Sequence, residues 1–248
     1  MSVRPHTKTD GERLMNPFPL EQPKVAPHRQ VRFARGGLVA ALGSVVLAVI
    51  AHAANPELAP SWAPISDLAL GPRGGWMTGA FILWSAAGAC AAITIRPFAR
   101  TKAARFGVAL LVVSAFGPAL AGGFPADPYT TPLDAQSPTG GVHAVGAMLS
   151  DLLPLAMIIL TVVLAGRQGP WREYRLVLVA STLLLLGALV WVSVAMGLHF
   201  SMPGATLGPE APLGWPNRAH VLACLGSYAA LCWIPIACSS KSHRRVTP

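Results

Sequence analysis

Residues 176–198 read LVLVASTLLLLGALVWVSVAMGL, 23 consecutive residues without one charged side chain. At 1.5 Å of rise per residue, about 20 such residues cross the roughly 30 Å hydrocarbon core of a bilayer. The stretch therefore reads as a membrane span rather than a helix of a soluble core. Outward from it, five more segments meet the same test, at about 36–54, 76–95, 105–123, 142–165 and 219–238. None alternates apolar and polar residues with a period of two, as a membrane β-barrel would. A spanning helix satisfies its own backbone hydrogen bonds, so these segments predict an all-α, polytopic membrane domain. Six transmembrane helices would form one bundle over residues 36–238, between tails at 1–35 and 239–248. Composition agrees, with 53% hydrophobic and 12% charged residues, about half the charge of an ordinary soluble domain.

Charge sets the expected orientation. Of the 19 Lys and Arg residues, 17 fall in the N-terminal tail, the connections after spans two and four, and the C-terminal tail. The opposite side keeps only Arg73 and Arg218. The positive-inside rule then puts both termini in the cytoplasm and the long connections outside, in a cell (inner or plasma) membrane. The net charge of +9 is accounted for by topology and does not point to nucleic acid.

The first 35 residues are polar and carry Pro5, Pro17, Pro19, Pro23 and Pro27 without a helical period. They read as a disordered basic tail able to touch anionic headgroups. Their apolar stretch lies too far from the start for a cleaved signal peptide, and Met15 is an alternative start. Cys90, Cys224, Cys232 and Cys238 all lie in spans two and six and read as small packing residues.

The outer connections are long and rich in proline: residues 55–75 (NPELAPSWAPISDLALGPRGG), 124–140 (FPADPYTTPLDAQSPTG) and 200–217 (FSMPGATLGPEAPLGWPN). Loops of this length are commonly functional, and Trp62, Tyr129 and Trp215 suggest ordered lids or interfacial anchors. Four histidines meet this surface. His52 ends span one, His143 opens span four, His199 ends span five and His220 opens span six. Asp67, Asp127 and Asp134 join them from the loops. Imidazoles with carboxylates can ligate zinc or another divalent metal, and they equally suit acid–base chemistry near neutral pH. The metal-ligand candidates are His143, His199, His220 and Asp127, although no HxxxH spacing supports them. Two facing histidines holding a haem is a further option. Capping of helix ends explains the same residues without chemistry.

Asp151 lies eight residues beyond His143, about 12 Å deeper along a helix. An ionisable side chain at that depth is a functional candidate by default. Ser150 adjoins it and Pro154 follows, and on one continuous helix His143, Ser150 and Asp151 would all face a cavity open to the outside. The alternative is an Asp that pins helix packing. Span two carries Gly79, Ser85, Ala86, Gly88 and Ala89 and reads as a close-packing helix. In span three, Gly117 and Pro118 predict a kink. No Walker loop, GxSxG elbow or dinucleotide fingerprint occurs.

Several of these features recur together. Ile65-Ser66-Asp67 precedes span two, Gly79-Ala80-Phe81 lies inside it, and Gly122-Gly123-Phe124-Pro125-Ala126-Asp127 leaves span three ahead of His143. Over about 36–238 the chain resembles the bacterial integral-membrane family catalogued as domain of unknown function 998. The resemblance implies six membrane helices and marks Ser66, Asp67, Asp127 and His143 as matching polar positions. It brings no activity with it.

Three functions remain open. The first is a membrane-embedded enzyme acting on a lipid or isoprenoid-like substrate, with His143, Asp127, Asp67, Ser66 and Asp151 as candidate catalytic residues. The second is a non-catalytic sensor or assembly subunit. The third is a small proton- or cation-coupled transporter built on Asp151.

Overall fold

The structure, a computed structural model, describes residues 28–166, 170–202 and 208–244. The expectations for residues 1–27, for Met15 as a start, for Arg167 and for Arg245 lie outside the described residues. Eight α-helices are described: α1 (His28–Ala54), α2 (Gly75–Ile95), α3 (Lys102–Gly123), α4 (Pro138–Ser150), α5 (Leu153–Ala165), α6 (Pro170–Glu173), α7 (Arg175–Phe200) and α8 (Gly214–Arg244). Short 3-10 turns at Ile65–Ala69, Arg96–Phe98 and Leu133–Ala135 complete the assignment, and no strand occurs among the described residues. Six helical segments are long and apolar enough to cross a membrane: His28–Ala54, Gly75–Phe98, Lys102–Gly123, Pro138–Ala165, Arg175–Phe200 and Gly214–Ser240.

Three boundaries differ from the sequence reading, each for a local reason. Helix α1 starts at His28, so residues 28–35 are helical rather than part of a disordered tail. Arginine is a good helix former, and the Arg29 guanidinium sits 5.7 Å from the Phe33 ring centre one turn on. Helix α8 starts at Gly214 and so absorbs residues 214–218. Pro216 is tolerated there because first-turn N–H groups need no helical acceptor. Span four is two helices, parted at Asp151 and Leu152. Pro154 has no N–H to offer the Ser150 carbonyl, which removes a rung of the ladder where the break occurs. Helix α3 runs unbroken through Pro118.

Helix α2 packs on α1, α3 and α8, while α7 and α8 pair with each other and α5 bridges α3 to α7. Its buried stripe runs Met77, Phe81, Trp84, Gly88, Ala91 and Ile95, the spacing of one helix face. Gly88 belongs to this stripe, because a Cβ there would lie 2.6 Å from Ala115 Cβ and 2.9 Å from Tyr228 Cζ. Ala89, also expected in the packing face, is exposed. Small residues let the backbones approach, and hydroxyls tie them together. Ser44 Oγ donates to the Ala80 carbonyl at 2.8 Å, Ser114 Oγ meets Tyr228 Oη at 3.0 Å, and Thr161 meets Thr182 at 2.8 Å. Among the cysteines, Cys224 and Cys232 are buried as free thiols. A Cβ on Gly37 would sit 2.5 Å from Cys232 Sγ, so this sulfur fills space between α1 and α8.

Candidate functional site

Most of the polar side chains gather at the end of the molecule where the long loops join the helices, with Asp151 set deeper at the break in span four, and they separate into three groups.

The first is centred on Arg218 in the opening turns of α8, with 7% of its surface exposed. Its Nε donates to His52 Nε2 at 2.9 Å. Its Nη1 donates to the carbonyls of Ala63 at 2.7 Å and Gly214 at 2.9 Å, with Pro60 at 3.3 Å. Next to it, Asn217 Oδ1 accepts from the Ile65 N–H at 3.0 Å. Burying a guanidinium is costly unless its donors find partners. The Nε and Nη1 bonds hold the 55–75 loop onto α1 and α8, while the buried Nη2 has no partner among the described residues. Ser66, half-buried, and Asp67, buried, follow in the Ile65–Ala69 turn. The Tyr129 N–H donates to Asp67 Oδ2 at 3.3 Å, joining the first long loop to the second. Burial pushes the Asp67 carboxyl up to about 6, against the opposing pull of that hydrogen bond. Burial, then the Asp67 charge, push the Tyr129 phenol up to about 12.

The second group is His143 and Asp127. His143 Nδ1 lies 3.0 Å from the Ala121 carbonyl and 3.1 Å from that of Phe124. Both are acceptors, so Nδ1 carries the proton and donates. The ring also stands edge-on to Phe81, centres 6.0 Å apart. His143 thus satisfies carbonyls freed at the C-terminal end of α3. Asp127 Oδ2 accepts from the Ser137 N–H at 2.8 Å, and Ser137 Oγ in turn caps α4 by accepting from the Gly140 N–H at 3.0 Å. Gly140 is required there, since a Cβ would stand 1.9 Å from Asp127 Oδ2. On the same stripe of α4, Ser150 Oγ donates to the Gly146 carbonyl at 3.0 Å. It faces α3, where a Cβ on Gly117 would meet Ser150 Oγ at 2.4 Å. His143 and Ser150 both meet α3, whereas Asp151, the C-cap residue of α4, meets His220 of α8.

The third group is Asp151 with His220, Oδ1 to Nε2 at 3.7 Å, joining the C-cap of α4 to α8. The His220 side chain is 11% exposed and that of Asp151 51%. His220 Nε2 makes no hydrogen bond among the described residues. The extensive packing of α4 is on α3, so this pair spans a part of the structure where backbones stand apart.

The other expected residues do not converge on these. His199 is buried in the last turn of α7, edge-on to Phe200, and Asp134 is exposed. Among the described residues no three His, Cys, Asp or Glu side chains stand close enough to hold a metal ion. His143, His199, His220 and Asp127 do not form one ligand set, because the proteins' helix ends carry them to different neighbours and His143 Nδ1 is already engaged with carbonyls. His52 is one of the four histidines the sequence places at this surface, whereas its partner Arg218 is the site residue that the sequence reading assigns only to topology. The available signal was a lone arginine at the apolar start of span six, on the side otherwise poor in Lys and Arg.

The family model described as Protein of unknown function (DUF998) matches residues 38–234. No curated protein and no solved structure matches the chain. With most of its length covered, and with the six apolar helices that the family resemblance implied, the chain belongs to this family of unknown function.

Proposed function

We propose that this chain is a multi-pass plasma-membrane enzyme acting on a lipid or isoprenoid-like substrate, with Asp151 and His220 as its acid–base pair. The observation that carries the reading is the 3.7 Å approach of these two side chains at a break in span four, with Asp151 half exposed. Ionisable side chains deep in a span are costly and are found where a polar event takes place. An amphiphile arriving from the bilayer would bring its polar group to Asp151 between α4 and α8. One side chain would give a proton while the other takes one, which suits protonation, isomerisation or hydrolysis at the polar end of the substrate. Asp67, Asp127 and His143, each committed to backbone groups of the long loops, act in this reading as positioning residues that shape the entrance. The distribution of Lys and Arg supports cytoplasmic termini and an outward-facing loop end.

The test is turnover in nanodiscs holding the full chain, offered an isoprenyl alcohol and a phospholipid mixture and followed by mass spectrometry of the lipids. Conversion by wild type that disappears in Asp151→Asn and His220→Gln is expected. Equal conversion by both variants contradicts the assignment.

A second reading is a proton- or cation-coupled carrier, favoured by the discontinuous span four, since broken helices mark the ion sites of many transporters. Proton uptake into proteoliposomes that depends on Asp151, without lipid conversion, would select it.

A further inference from the structure

At the opposite end of the molecule, a groove of about 1050 Å³ runs between α2 and α3. Its mouth carries Arg96, Arg100 and Arg105, and its stem is walled by Ile93, Val112 and Phe116. The three apolar side chains are 42%, 52% and 56% exposed, so nothing among the described residues covers them. From Arg105 to Phe116 is eleven residues of α3, about 16 Å of rise, and a single leaflet occupies half of the roughly 30 Å hydrocarbon core. The groove therefore has the depth of one leaflet, with guanidinium groups where headgroups lie and alkyl walls where acyl chains lie. Residues 75–123, which build both of its helices, contain no Asp or Glu.

We infer that this groove is a binding site for an anionic phospholipid of the leaflet on the basic side, its phosphate at Arg96 and Arg105 and an acyl chain along Val112 and Phe116. Charge complementarity selects the headgroup. Arginine forks match phosphate oxygens bidentately, and basic pockets between membrane helices bind anionic headgroups. The site lies at the far end from Asp151 and does not rest on the activity proposed above.

The experiment is native mass spectrometry of the purified full chain after equilibration with equal amounts of phosphatidylglycerol and phosphatidylcholine. Four samples are compared. Wild type is expected to retain phosphatidylglycerol at least tenfold over phosphatidylcholine. The double variant Arg96→Gln/Arg105→Gln removes the phosphate contacts and is expected to lose that preference. Ala109→Trp, at an exposed position lining the stem, fills the groove with charge unchanged and is expected to lose the lipid. Arg172→Gln, an exposed arginine outside the groove, should behave as wild type. Equal retention of the two lipids by wild type, full retention by either groove variant, or equal loss in Arg172→Gln would each overturn the site.

Discussion

Arg218 Nε donates to His52 Nε2 at 2.9 Å, across 166 residues of sequence. The same guanidinium closes on the carbonyls of Ala63 and Gly214, so one buried cation joins α1, the first long loop and the start of α8. Replacing Arg218 by Gln leaves these acceptors short of donors, at a cost of about 3 kcal/mol for charge-assisted bonds in a buried setting. Lysine keeps the charge but loses the fork, so Arg218→Lys should recover less than half of the stability. Thermal unfolding in detergent ranks wild type, Arg218→Lys and Arg218→Gln in that order.

Where α3 crosses α4, the backbones nearly touch. A Cβ on Gly117 would lie 2.4 Å from the Gly146 carbonyl oxygen, and one on Gly146 would lie 2.7 Å from the Gly117 oxygen. Neither backbone can yield cheaply, so Gly117→Ala and Gly146→Ala should each destabilise by about 1–3 kcal/mol through overpacking. Gly187→Ala is the matched control, because nothing stands within 4 Å of its Cβ, and it should melt as wild type.

His143 is expected to act as a hydrogen-bond donor rather than as a base. Asn at this position can place an N–H near that of Nδ1, so His143→Asn should keep most of the stability and of any activity. His143→Leu leaves the Ala121 and Phe124 carbonyls without their donor and should cost about 2 kcal/mol. Loss of activity in His143→Asn at unchanged stability would return this residue to the chemistry.

Asp67 predicts a pH dependence of stability. Its carboxyl rises from 3.8 to about 6 on folding, chiefly through burial. A group raised in the folded state favours folding when protonated, so its contribution is complete below pH 3.8 and is lost as pH rises through about 6. At 1.36 kcal/mol per unit, the shift from 3.8 to about 6 corresponds to about 3 kcal/mol. Melting curves between pH 4 and 7 (values chosen to bracket that window) should fall for wild type and fall less for Asp67→Asn. The same variant removes the neighbouring charge from Tyr129, whose phenol should then ionise below its present value of about 12.

The six spans were legible because crossing a bilayer imposes a length and an apolarity that few other structures share. Their ends were less so. Residues 28–35 and 214–218 extend helices with polar or proline-containing turns, where hydrophobicity carries no signal and capping and propensity decide. Asp151 stood out by depth alone, yet its partner His220 lies 69 positions away and only the packing of α8 brings it near. His143 and Asp127 were visible as a polar pair at helix ends, but the carbonyls and N–H groups that occupy them belong to the turns of α3 and α4. In the sequence Arg218 is one charge on the Lys/Arg-poor side, and nothing in its neighbours along the chain shows that it is buried.

The central claim is that Asp151 and His220 meet the polar end of a lipid-soluble molecule between α4 and α8. The most direct measurement is photolabelling of the full chain in nanodiscs with a diazirine-bearing isoprenyl alcohol, with the labelled peptides located by mass spectrometry. The account predicts label concentrated around Asp151 and His220, reduced at least tenfold by excess unlabelled alcohol and in Asp151→Asn. Label spread evenly over the exposed faces of the helices, unchanged by competitor and by the substitution, would contradict it.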